Sequence, residues 1–277
     1  MRAALVQLTS SDDPAANLPA TRNAVARAAA DGAEFVLTPE VTNCVSTSRA
    51  RQAQVLRPEA EDPTLAALRN QAAQLGIWLS VGSLAVKTDD PDGRFANRSF
   101  LIGPDGGIAA RYDKIHMFDV VISETESYRE SAGYCPGDRA VLAETPFGTV
   151  GLTVCYDVRF PALYRQLAQA GAQIILVPSA FSPVTGAAHW ESLLRARAIE
   201  TGAFVLAAAQ CGTHPAQSGK ERRTWGHSLA VSPWGAVLAD GGDAPGVTLA
   251  ELDLAEVAAA RGKIPSLTHD RPFEAPR

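Results

Sequence analysis

The rhythm of this chain constrains its fold more than any other feature. Short runs of strand-forming residues alternate with alanine-rich stretches of helical period. AALVQL (3–8), EFVLTPE (34–40) and IWLSVGSLAV (77–86) read as strands. Residues 14–31 read as a helix with Asp12 or Asp13 as N-cap and Pro14 in its first turn, and residues 63–76 as a helix closed by Gly76. Hairpin signals recur: RSFLIG and IAARYDK flank a turn at Pro104–Gly107, and a second pair turns near Phe147 and Gly148. Helices are expected at 161–171 and 189–202, a buried strand in AQIILVPSAF, and further strands in FVLAAAQC, WGHSLAVS, AVLAD and VTLAELD. A chain with this order forms an α/β domain with mixed sheets. Hairpins are too frequent for a purely parallel sheet. Residues 116–140 show no period and are expected to be a long loop, a length that tends to be functional.

The 277 residues carry a formal net charge of −5 and no long basic run, which argues against nucleic acid or an anionic membrane as partner. No apolar run reaches the roughly 18 residues of a membrane span, and MRAALVQLTSSDD lacks the apolar core of a secretory signal. A cytoplasmic protein is expected. Cys44, Cys135, Cys155 and Cys211 show neither a C-x-x-C pair nor zinc spacing with histidine, so free thiols are expected. There is no internal repeat or linker, so residues 1–277 read as one domain with a C-terminal tail from about 262. No glycine-rich phosphate loop is present: Gly219-Lys220 is followed by Glu221.

Ends of strands are where α/β proteins place chemistry. Glu40 closes FVLTPE, Lys114 closes ARYDK and Cys155 closes GLTVC. Each alone has an ordinary reading, as a surface carboxylate, a solvated ammonium and a buried small hydrophobe. Together they make a base, a cation and a nucleophile. A helix beginning near Phe160 would aim backbone N–H groups back at the cysteine, which lowers a thiol pKa.

Glu40, D-K-I-H at 113–116 and C-Y-D-x-R-F-P at 155–161 resemble, in this order, the signature of the nitrilase superfamily of carbon–nitrogen hydrolases. The resemblance extends from AALVQL to LTHDRP near the C-terminus. It implies a four-layer α-β-β-α sandwich, two mixed sheets packed between helices, and a homodimer or larger homo-oligomer formed through helices next to the cysteine. It implies a Glu40–Lys114–Cys155 triad with no metal or organic cofactor. A second glutamate follows the lysine in many members; Glu130 in Y-R-E-S matches best, with Glu124 and Glu126 as alternatives. By this resemblance Glu40 is the general base and Cys155 attacks an amide carbonyl. Lys114 and the Tyr156 N–H hold the oxyanion, and a thioester forms and is hydrolysed. Base action calls for a Glu40 pKa raised towards neutrality, which burial favours.

The stretch from Pro178 to Glu200, with AAAQCG and R-R-T-W-G-H-S, resembles the branch containing deaminated glutathione amidases. The sister ω-amidases, acting on 2-oxoglutaramate, usually have glycine where Ser179 stands. Either substrate is a small anionic amide, and Arg159, Arg195, Arg197 and the Lys220-Arg222-Arg223 cluster are candidate partners for its charge. Ser179, Phe181, Thr185 and His189 are expected around the pocket and Trp190 in the core.

Three rivals compete. G-H-S-L-A at 226–230 approximates a serine-hydrolase elbow, with Asp240 or Asp253 and His269 in the right order, but its fifth residue is Ala230. A papain-like pair would join Cys155 to His116 or His189. A non-catalytic binding or scaffold protein could share the fold.

Overall fold

The computed structural model describes residues 1–122 and 126–274. Strand β1 (Arg2–Gln7) sorts its side chains by the two-residue period of a strand: Ala3 and Leu5 face one apolar cluster, Ala4 and Val6 another. The second cluster is sealed by α1 (Pro14–Ala30), through Val25 and Ala28, and by α3 through Leu65, Leu68 and Ala72. Between them lie β2 (Phe35–Leu37) and α2 (Arg49–Val55); α3 spans Pro63–Leu75. Local chemistry starts and stops these helices. Asp13 caps α1 by accepting from Ala15 N, Asp62 caps α3 by accepting from Leu65 N, and Gly76 ends α3 at φ +66°.

The chain continues through β3 (Trp78–Lys87), β4 (Phe95–Ile102), β5 (Ile108–Asp113), β6 (Asp119–Val121), β7 (Ser127–Arg129), β8 (Val141–Thr145) and β9 (Gly148–Leu152). Next come α4 (Pro161–Gln169), β10 (Ile174–Leu176), α5 (Pro183–Thr201) and β11 (Phe204–Ala207). The last elements are β12 (Cys211–His214), β13 (Arg222–Trp225), β14 (Leu229–Val231), β15 (Val237–Asp240), β16 (Gly246–Glu251) and α6 (Ala255–Lys263). One six-stranded sheet has the order β16-β1-β2-β3-β4-β5, the other β15-β14-β11-β10-β9-β8. Both are mixed: β1, β2 and β3 run parallel, as do β9, β10 and β11, and hairpins flank them. Ala3, Leu5, Phe35 and Leu37 of the first sheet join Val150, Leu152, Ile174 and Leu176 of the second in one core, with Tyr164, Trp190, Leu194 and Ala198 of α4 and α5 behind. The layers are helix, sheet, sheet, helix.

Just past the carboxyl ends of β2 and β10 the two sheets make a tight contact. A Cβ on Gly82 of β3 would lie 1.9 Å from Thr38 O and 2.4 Å from Pro178 Cβ. Only glycine lets three backbone segments meet there. Those segments lead to Glu40 and Ala180.

Several boundaries differ from expectation. The stretch 116–140 is not a featureless loop: β6 pairs with β7, followed by a 3-10 turn at Glu130–Ala132. Helix α5 begins at Pro183, six residues before the expected start, because Pro183 in its first turn sets φ there. The segments α2, β12 and β13 carry too few apolar residues for periodicity to reveal them. Helix α6 runs to Lys263. Glu40, Lys114 and Cys155 all lie beyond their strands, which end at Leu37, Asp113 and Leu152.

Candidate active site

Glu40 lies in the turn after β2 and is 4% exposed. Its Oε1 accepts from Lys114 Nζ and Asn97 Nδ2, each at 2.9 Å, and its Oε2 from the Ala180 N–H at 2.8 Å. Lys114, 2% exposed, also donates to both carboxylate oxygens of Glu130, at 2.9 and 2.8 Å. Glu130 in turn accepts from the Phe118 N–H at 2.6 Å. A carboxylate–ammonium–carboxylate chain therefore sits where a core would otherwise exclude charge. Burial pushes the Lys114 pKa down, but Glu130 and Glu40 outweigh it and hold the ammonium form well above its usual range. Burial pushes Glu40 up, but Lys114 and then Arg222 prevail and hold its carboxyl below the usual range. The expectation of a raised Glu40 is thus reversed in the resting site, because two cations face it.

Cys155 lies beside Glu40 and Lys114. Burial first and the Glu40 charge second raise its thiol pKa strongly, while Lys114 pulls the other way. The resting site holds a neutral thiol next to an ionised carboxylate. Cys155 is the first residue of a 3-10 turn (Cys155–Arg159) and has φ +49°, a left-handed conformation rare outside glycine. The hydrogen bond from Cys155 N to Pro178 O, at 2.9 Å, holds it there. The Tyr156 N–H follows in the same turn, with no acceptor among the described residues. The backbone N–H that acts on the sulfur is that of Ala180, not one from α4.

Asp157 escaped sequence reasoning, although it stands inside C-Y-D-x-R-F-P. Fully buried, it accepts from Val154 N (2.9 Å), Tyr112 Oη (2.7 Å) and His116 N (3.0 Å), and pairs with His116 Nδ1 (2.7 Å). It ties the cysteine turn to the strand and loop that carry Lys114. Asp157→Asn keeps the shape but turns an N–H2 towards groups that donate. It is expected to destabilise the fold by about 3 kcal/mol in denaturant unfolding and to lower kcat more than about tenfold, since a misplacement near 1 Å is that costly.

A cavity of about 770 Å³ opens above this floor, lined by Glu40, Lys114, Glu130 and Cys155 and walled by Tyr128, Phe181, Thr185 and Arg222. Phe181 and Thr185 thus stand where they were expected; Ser179, Arg159 and His189 do not line it. Ser179 is fully buried with its hydroxyl on Val177 O. Arg159 lies against the Tyr156 and Phe181 rings and meets exposed His189 at 3.3 Å. Arg195 binds Gly235 O, and Arg197 is buried against Val158 O and Glu200, so neither faces the cavity. Trp190 is core, at 1% exposure. Of the alternative glutamates, Glu126 lines the cavity and accepts from Ser182 Oγ and Tyr128 Oη; Glu124 lies outside the described residues. Asn97 and Arg222 complete the site. Asn97 carries no local sequence signal, because its role depends on what faces it across the fold, whereas Arg222 belongs to the basic cluster expected to meet the substrate's charge.

The rival sites do not assemble. Ser228 Oγ is buried between Ala209 N and Gln7 Oε1, while Asp240 pairs with His227. His116 is stacked on Phe160 and bound to Asp157, with no contact to Cys155 among those of the described residues. Among the described residues no cluster of three His, Cys, Asp or Glu could hold a metal, and no helix is long and apolar enough to cross a membrane.

A two-sheet sandwich with this buried charge chain beside a strained cysteine defines a class, the hydrolases acting on carbon–nitrogen bonds other than peptide bonds. The chain belongs to the carbon–nitrogen hydrolase family, which it matches over residues 2–262. It is 40% identical over 270 residues to the deaminated glutathione amidase of Yersinia enterocolitica, covering 97% of this chain and 92% of that one. It superposes on the NitFhit protein of Caenorhabditis elegans with TM-score 0.88 and 37% identity, over 98% of this chain and 65% of that longer one. A glutamate-to-glutamine mutant of the nitrilase-superfamily amidase from Nesterenkonia sp. AN1, with the acetamide moiety of fluoroacetamide added covalently at its active-site cysteine, matches with TM-score 0.77 and 29% identity over 94% of this chain and 92% of that one.

Proposed function

We propose that this protein hydrolyses the side-chain amide of deaminated glutathione through a thioester on Cys155, yielding 2-oxoglutarate and cysteinylglycine. One observation carries the chemistry: Glu40, Lys114 and Glu130 form a buried ion chain beside a cysteine held at φ +49°. Glu40 takes the thiol proton as sulfur bonds to the amide carbon, and the carbonyl π pair moves to oxygen. The Lys114 ammonium and the Tyr156 N–H hold that oxyanion. When the carbonyl re-forms, the C–N bond breaks and Glu40 gives its proton to the leaving nitrogen. Water, deprotonated by Glu40, then attacks the thioester carbon. Collapse expels the sulfur, which recovers its proton from Glu40. Glu130 and Asn97 hold Lys114 and Glu40 in register throughout. The adduct that fluoroacetamide leaves on the active-site cysteine of the Nesterenkonia mutant supports a nucleophilic Cys155.

The cavity favours this substrate over a smaller amide. At about 770 Å³ it lies within the range that takes a drug-sized ligand, and deaminated glutathione is a tripeptide-sized anion. The names of the amidase relatives point the same way. Steady-state assays are expected to give deaminated glutathione a kcat/KM about tenfold or more above that of 2-oxoglutaramate; the reverse order would assign the ω-amidase activity instead.

The same reading makes the protein at least a homodimer, placed in a reducing cytoplasm where its four thiols stay free. Val184 and Ile199 stand 58% and 55% exposed on α5, the helix that packs against the cysteine turn. Light scattering at micromolar protein is expected to return about twice the chain mass or more; a monomer would refute the assembly.

A further inference from the structure

Arg222 lines the cavity beside the catalytic group. It opens β13 on the cavity wall, half-buried, with its guanidinium 5.7 Å from the Tyr128 ring centre. Its Nη2 donates to Ala180 O at 2.6 Å, but its Nε is buried without an acceptor among the described residues. An unmet guanidinium donor away from water is costly unless something arrives to accept from it. Its surroundings hold it in place. Trp225 of the same strand packs against Gly186 of α5, where an added Cβ would lie 2.3 Å from the indole. Thr47 clasps the preceding loop through Lys220 N and O. Lys220 and Arg223 flank it on the same cavity, while Arg49 and Arg129 add positive charge at other points of the lining. Among the described residues only Glu126 and Glu221 of the lining oppose these five cations outside the catalytic group, in a chain whose net charge is −5. A cationic cavity on an anionic protein is built for an anion.

We infer that Arg222 is the subsite that grips a carboxylate of the substrate and makes a negative charge a condition of efficient hydrolysis. The inference rests on the amide-hydrolase reading above for the chemistry of its ligand. Arginine is suited to the task because its planar fork matches a carboxylate with two parallel hydrogen bonds. The position also links binding to chemistry. Ala180, whose carbonyl Arg222 holds, donates its N–H to Glu40, and the Arg222 charge is one of the two cations that keep Glu40 ionised. A carboxylate seated on Arg222 cancels part of that field, so Glu40 holds a proton more readily at the moment it must take one from Cys155.

Deaminated glutathione carries a carboxylate on each side of the scissile amide, and the two hydrolysis products separate them. Calorimetric titration of 2-oxoglutarate and, under reducing conditions, of cysteinylglycine into wild type, Arg222→Gln and Arg222→Lys is the test, with uncharged glutaramide as control. The expected result is a tenfold or greater weakening of one product in Arg222→Gln. Arg222→Lys should partly restore it, and glutaramide binding should change by less than the product's. The product affected tells which carboxylate Arg222 holds. Equal binding of both products by wild type and Arg222→Gln overturns the inference, as does equal weakening of glutaramide or failure of wild type to bind either product. Turnover is scored separately: if wild type binds a product through Arg222 yet leaves deaminated glutathione intact, the subsite stands and the proposed substrate falls.

Discussion

Cys155→Ala is expected to abolish amide hydrolysis, with a loss on the order of 10⁵-fold or more in kcat, as when a nucleophile that acts as one unit with its base is removed. The fold should survive. Cys155 sits against an open cavity, so loss of its sulfur leaves room that solvent fills instead of a sealed void. The positive φ of the turn is as unfavourable for alanine as for cysteine, and the bonds that impose it come from Cys155 N and Asp157, which the substitution leaves intact. The melting temperature should therefore stay within about 3 °C of wild type. Acid-quenched wild type under turnover should carry the acyl mass on the peptide containing Cys155, and the variant should carry none. Residual turnover near the wild-type rate would remove Cys155 from the mechanism.

Lys114→Met has a second large effect, and it strikes stability as well as rate. The side chain is nearly isosteric, but Glu40 and Glu130 lose the cation that separates them. Removing one partner from a buried ionic cluster costs about 3–5 kcal/mol, a fall in melting temperature of about 10 °C for a chain of this size. Loss of oxyanion stabilisation alone is worth about 10²–10³-fold in kcat, and a Glu40 with one cation fewer would add to it. The pH dependence follows in sign. In wild type Glu40 titrates below its usual range, so its contribution to stability is full above that range and is lost as pH falls through the depressed value. In the variant burial faces only Arg222, Glu40 moves up, and the folded state gains a proton that the unfolded chain has not yet bound. The stability gap between the two proteins is therefore expected to narrow between about pH 7.5 and about pH 5 in denaturant titrations. A gap that widens on acidification would show that Lys114 does not hold Glu40 ionised.

Much of the molecule is legible in the chain because it depends on near neighbours. The alternation of Ala3 and Leu5 with Ala4 and Val6 marks a strand covered on both faces, and Asp62, Pro63 and Gly76 mark the limits of a helix. Phe147-Gly148 turns a hairpin between β8 and β9 as its residues suggest. The weak points share a cause. Short elements such as β6, β7, β12 and β13 have only three or four residues, too few to display a period. Glu40 and Cys155 look like strand ends in a one-dimensional reading, because Thr38, Pro39, Thr153 and Val154 continue the strand-like run. Thr38 N and Thr153 N make the last ladder bonds, to Ser80 O and Leu176 O, and the chain turns after them.

What the sequence by itself determined is the inventory: a glutamate, a lysine and a cysteine each following a strand, an architecture of mixed sheets, and Glu130 among three candidates for the second carboxylate. Only the tertiary structure decided which of these groups meet. It set Glu130 on Lys114 while Glu126 bonds to Ser182 and Tyr128, turned Ser179, Arg159 and His189 away from the cavity, and brought Asn97 and Arg222 to it. It also decided the charge state of Glu40, against the expectation from burial alone. Periodicity and capping act over a few residues and are written in adjacent letters. A proton's affinity depends on every charge within several ångströms, and those charges come from segments far apart in the chain, assembled only when the two sheets close on each other.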